Sequence, residues 1–117
     1  MAGHTSKFPV VKGETATVAA SGTTSGTIDK EGSTLCGLMT PAALTSTSIT
    51  FKGGVTAASL LPVKDKYNTA ISITCGTAEA AFYVLEPGDF AGMRYVQLVT
   101  GSTEVAERVF TLAMRPV

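Results

Sequence analysis

Tryptophan is absent from this 117-residue chain, histidine occurs once and cysteine twice. Charge is scarce too: Asp, Glu, Lys and Arg make up 15% of the residues, and nine basic side chains balance nine acidic ones. Each shortage excludes something. The one histidine, His4, lies in a terminal segment and gives no well-placed base for a Ser–His or Cys–His pair. Cys36 and Cys75 are too few for a disulfide framework or a zinc cluster. Both sit in apolar runs, TLCGLM and ISITCG, and read as buried thiols acting as small hydrophobes. A Cys36–Cys75 bridge is the alternative, and it requires adjacent strands and an oxidising compartment. Without a basic excess or stripe, nucleic acid is excluded as the main partner. No run of ~18 apolar residues exists, so no membrane span is expected. The opening MAGHTSKFPVVKGET has no apolar signal core, which predicts a chain made and used in a cytoplasm.

What the chain has in quantity is small side chains: 18 Thr, 15 Ala, 12 Gly and 9 Ser. Apolar residues reach 44%, so a folded core rather than disorder is expected, in a single domain. The pattern is strand-like almost throughout, with Gly, Pro, Ser and Asp punctuating Thr, Val, Ile, Phe and Tyr. Strands are predicted at 14–20, 26–30, 34–40, 48–52, 59–64, 69–75, 81–85, 93–100 and 107–114. Glu86–Gly92 (EPGDFAG) reads as a turn cluster with one 3₁₀ turn, Phe90 pointing inward and Arg94 reaching Asp89 or Glu86. Gly53-Gly54 reads as a turn or bulge. In Glu107–Met114, Val109, Thr111 and Ala113 alternate with Phe110, Leu112 and Met114. About eight to ten short strands, with almost no helical period, make an all-β, antiparallel β-sandwich or small barrel. Residues 14–117 form that domain. Residues 1–13 are predicted as an extended N-terminal arm, in which Pro9 opposes a central-strand assignment.

Chemistry finds little purchase. The carboxylates Asp29, Glu31, Asp65, Glu79, Asp89 and Glu104 fall singly at predicted turns and read as solvated. No phosphate loop or calcium loop is present, and no catalytic, cofactor or metal residues are assigned. Tyr67, in a polar turn, is the one candidate for a glycan platform. Lys7, Lys12, Lys64 and Lys66 read as guards of strand edges against unwanted pairing. A surface of small, uncharged side chains loses little rotamer freedom on docking, and interface cores are depleted in charge. The composition therefore predicts a packing or assembly module rather than an enzyme.

Two segments carry a resemblance. Thr34–Phe51 (TLCGLMTPAALTSTSITF) and Leu85–Leu98 (LEPGDFAGMRYVQL), the latter followed by TGS and RVFTLAMR, resemble stretches of small tailed-phage virion proteins. The similarity spans roughly residues 14–115. This chain has Leu44 where a Trp is common, and Gly53-Gly54-Val55 where an acidic turn is common. The resemblance implies a sandwich of jelly-roll type and no enzymatic residues. It also implies a capsid decoration, or cement, protein on the virion surface, assembled in the bacterial host cytoplasm. Its expected partners are the major capsid protein and sister copies, as a homo-dimer or homo-trimer. The arm residues Phe8, Pro9, Val10 and Val11 are the candidate contact with the capsid or a sister subunit. A phage tail or receptor-binding module gripping host glycans through Tyr67 or Tyr83 is the second reading.

Overall fold

The computed structural model describes residues 11–116 apart from Ala78. Nine strands form two antiparallel sheets: β1 Lys12–Val18, β2 Ile28–Asp29, β3 Ser33–Met39, β4 Ser48–Gly54, β5 Leu61–Pro62, β6 Ser72–Thr74, β7 Phe82–Val84, β8 Tyr95–Thr100 and β9 Arg108–Pro116. The first sheet has the order β1-β9-β3-β7, and the second β2-β8-β4-β5 with β6 also on β4. The chain crosses between sheets at almost every connection. This interleaving of two four-strand layers is the jelly-roll arrangement.

Strands β5 and β6 are two halves of one edge strand. Pro62 faces Lys52 and Leu61 faces Gly53, while Ile73 faces Ile49 and Ser72 faces Thr50. Between them the chain leaves the sheet as a small hairpin closed by the Lys64–Ala70 bridge. Asp65 pins that hairpin: its Oδ1 accepts from the N–H of Tyr67 at 2.8 Å and of Thr69 at 3.0 Å.

The core follows from alternation. Ala16, Val18, Leu35, Leu38, Phe110, Leu112 and Met114 face inward from the first sheet, and Ile49, Phe51, Ile73, Val96 and Leu98 from the second. Side chains of period two on a pleated strand make this division automatic. Phe90, at the end of the 3₁₀ turn Pro87–Asp89, is buried and meets Phe51 edge-to-face, with centroids 4.9 Å apart.

Several expectations change. Lys12 and Gly13, read as arm, belong to β1 and face Met114 and Ala113. Gly53-Gly54 is not a turn but the end of β4, facing Val96 and Tyr95. Glycine is needed for close approach at Gly54, where a Cβ would stand 2.4 Å from the Ser59 carbonyl oxygen, while at Gly53 it would meet the flexible end of Met93, 2.2 Å from Sδ. The cysteines are both free, Cys75 buried but Cys36 only half-buried at a β-bulge.

Candidate interaction surface

The outer face of the first sheet is built from the residues that alternate with its core positions. Across the four strands the rows read Thr15–Thr111–Met39–Phe82 and Gly13–Ala113–Gly37–Val84, with Thr17 beside Val109. None of these ten positions carries a charge; the next outward position of β9, Arg115 beside Thr34, is exposed and does. Four are exposed large apolar side chains: Val84 at 85%, Phe82 at 54%, Met39 at 48% and Val109 at 46%. The Phe82 ring lies over Gly37, where an added Cβ would come within 2.4 Å of it. A glycine on the central strand thus lets an aromatic ring lie flat on the sheet.

The opposite face differs. The second sheet turns Asp29, Lys52, Gln97, Thr50 and Ser72 outward together with Tyr95, Val99 and Pro62, through the pairs Asp29–Tyr95, Lys52–Gln97, Thr50–Ser72, Thr50–Val99 and Lys52–Pro62. Arg94 reaches neither Asp89 nor Glu86. Its Nε and Nη2 donate to the two carboxylate oxygens of Asp29, each at 3.0 Å. The guanidinium's hydrogen bonds lower the Asp29 pKa, and Asp29 in turn raises that of Arg94.

One end of the sandwich is closed by a buried carboxylate. Glu104, read from sequence as a solvated turn residue, is fully buried in the β8–β9 connection. Its Oε1 accepts from the Thr45 N–H at 2.9 Å and from Arg108 Nε at 3.0 Å. Its Oε2 accepts from the Ser46 N–H at 2.9 Å and the Ser46 hydroxyl at 2.5 Å. Burial works to raise this pKa, but the bonds from Ser46, Thr45 and Arg108 outweigh it and hold the carboxyl at about 2. The loop that carries β3 into β4 is thereby tied to the loop that carries β8 into β9, so one carboxylate joins the two sheets. Burial, with the neighbouring Glu104 charge adding to it, pushes the Cys75 thiol up.

Lys30 is the second buried charge. It leaves β2 and its Nζ donates to the Phe90 carbonyl oxygen. Desolvation lowers its pKa. Both Glu104 and Lys30 act as internal ties. Two shallow grooves exist elsewhere. One, of about 410 Å³, is lined by Thr34, Pro87, Gly88, Ala91, Arg115 and Pro116. The other, of about 280 Å³, lies over Gly53–Val55, Leu61–Lys64 and Met93. Among the described residues, no group of three or more His, Cys, Asp or Glu is placed to hold a metal ion.

Of the sequence-predicted contact residues, Phe8, Pro9 and Val10 lie outside the described residues. Val11 is 58% exposed where the chain enters β1. Tyr67 is exposed at the tip of the small hairpin, whereas the Tyr83 hydroxyl accepts from the Gly76 N–H at 3.1 Å and its ring packs against the core. Met39, Phe82, Val84 and Val109 were not singled out by sequence, although the uncharged alternate positions of β9 and β7 were visible in it.

No protein-family model and no curated protein sequence matches the chain. Among solved structures it is similar to the SPBc2 prophage-derived protein YomS, at 15% identity and a TM-score of 0.53, over 92% of this chain and 95% of that one. It is less similar to a chain of Bacillus endospore appendages described as disulfide-linked pili, at 14% identity and TM-score 0.46, over 93% and 88%. A Yersinia pseudotuberculosis-derived mitogen follows, at 14% identity and TM-score 0.38, over 94% and 88%. The likeness to YomS is one of fold: an all-β sandwich shared along the whole described domain with a protein of prophage origin.

Proposed function

We propose that this chain is a bacteriophage virion structural protein that decorates the head, stapling neighbouring major capsid subunits without covalent chemistry. The observation that carries the reading is the outer face of the first sheet, where Met39, Phe82, Val84 and Val109 are exposed and Arg115, at one end, is the one charged side chain among the outward strand positions. A solvent-adapted sheet face alternates polar and charged residues outward, as the second sheet does, and contiguous exposed apolar side chains mark contact surfaces. Covering the exposed halves of such side chains contributes about 1 kcal/mol each.

The area explains why the target is a lattice. Four strands about 4.8 Å apart, of seven, nine, seven and three residues, present roughly 400 Å². A stable pairwise interface takes about 800 Å² from each partner. One face alone is therefore weak, and occupancy depends on many equivalent sites and on binding only the assembled shell. The prophage origin of YomS and the phage-virion resemblance of Thr34–Phe51 and Leu85–Leu98 agree with this reading. Phe8, Pro9, Val10 and Val11, leading into β1, are the proposed backbone contact with the capsid or a sister copy.

The test is localisation in purified virions with an antibody against this chain, together with co-sedimentation with emptied heads. Labelling of heads, and co-sedimentation lost on Val84→Glu, is the expected result. Labelling confined to tails, or a glycan-dependent signal abolished by Tyr67→Ala, would replace the decoration role with the receptor-binding one.

A further inference from the structure

The first sheet ends in β1, and among the described residues one contact continues beyond it: Val18 bridges Ser25. From Lys12 to Thr17 the outer edge of β1 has no partner strand there. An open edge of this length is a template for another strand, and a lone lysine on it acts as a guard. Here Lys12 is not alone. Glu14 follows two positions on, with Gly13 between them.

We propose that two copies of this chain pair through β1, antiparallel, about a two-fold axis at Gly13. Alternate residues of a strand send their N–H and C=O groups to opposite sides, so facing residues across a two-fold edge must share parity. The axis therefore passes through a residue. Centred on Lys12 or on Glu14, the pairing sets two like charges directly opposite. Centred on Thr15 or Ala16, it leaves the charges facing neutral residues. Centred on Gly13, it sets Lys12 of each copy opposite Glu14 of the other, an opposite-charge cross-strand pair made twice. Gly13 has no side chain to crowd the axis.

In that register Val11 of each copy faces Thr15 of the other. Among the described residues the open edge ends at Val18, which bridges Ser25. The two first sheets then run on as one continuous sheet. The face bearing Met39, Phe82, Val84 and Val109 doubles to roughly 800 Å², the area a stable interface takes from each partner. This deepens the partner assignment of the proposed function, yet it is tested without capsids.

The experiment is sedimentation velocity on the purified full-length chain from micromolar to millimolar concentration. The wild type is expected to dimerise. K12E or E14K alone should weaken the dimer about tenfold or more, because each replaces two attractive pairs with two repulsive ones. The K12E/E14K double variant should restore it. Mixing the two single variants should produce a heterodimer from chains that are monomeric apart, a result that misfolding cannot give. A wild type that stays monomeric, a trimer, or a dimer indifferent to both substitutions would overturn the proposal. A charge-dependent dimer that binds no heads would leave the pairing standing and remove the decoration role. A monomer that decorates heads would do the reverse.

Discussion

The two sheets of this sandwich share a core but not a surface. On the first, Met39, Phe82, Val84 and Val109 project from a face whose one charged side chain, Arg115, lies at its end. On the second, Lys52 faces Gln97 and an Asp29–Arg94 pair closes the edge. Both inner faces obey the same demand, burial of apolar side chains from water. The outer faces obey different ones: the second satisfies water, and the first is left for something else. The proposed contact surface rests on that contrast more than on any single residue, because both faces belong to one fold and one chain.

The largest effect should come from breaking the contrast directly. Phe82→Glu with Val84→Lys places charge on the first face and is expected to reduce head occupancy about a hundredfold, with the melting temperature little changed. Thr50→Glu, the matched change on the second face, should leave occupancy as it was. Equal losses from both would end the assignment of one face to binding.

Next is a change that spares neither sheet. Glu104→Gln removes the charge that ties the two end loops and leaves Arg108 without its partner, which should cost about 3 kcal/mol in urea unfolding. Glu104 has a folded pKa of about 2, below its ordinary 4.5, so its contribution is present above the unfolded value. It is lost as pH falls from about 4.5 toward 2. The Glu104→Gln variant should lack that part of the acid transition.

Lys30→Met should act more gently and in the opposite direction, stabilising by about 1 kcal/mol, because a buried ammonium is replaced by an apolar side chain of similar length. The folded state holds the Lys30 proton less tightly than the unfolded chain, so wild-type stability gains as pH rises through the folded pKa toward the unfolded one. Unfolding of the variant at alkaline pH should not show that gain. The smallest effect is Gly37→Ala. Its new Cβ would displace the Phe82 ring from the sheet, so head binding should fall severalfold while stability barely moves.

Much of the sandwich was legible because burial here is periodic. Ile49 and Phe51, or Phe110, Leu112 and Met114, announce a buried strand face from neighbours in sequence alone. What stayed hidden depends on partners far along the chain. Glu104 sits among turn residues, and its role is set by Thr45 and Ser46, nearly sixty positions away. Arg94 passes over two nearby carboxylates for Asp29, which the β2–β8 pairing brings beside it. Gly53-Gly54 misleads for another reason: glycine commonly breaks strands, but here the Ser59 backbone presses so closely on Gly54 that the strand needs glycine to continue. The outer face of the first sheet was readable strand by strand, yet its continuity required knowing that β1, β9, β3 and β7 lie side by side.

The splitting of β5 from β6 bears on how far assembly can go. The hairpin of Lys64–Ala70 interrupts that border of the second sheet, while β2 has two residues and β7 three. A building block with two long, compatible borders stacks head to tail into fibres of unlimited length. Among the described residues this one has a single long border, so the proposed backbone pairing would end after one step, in a closed, countable particle.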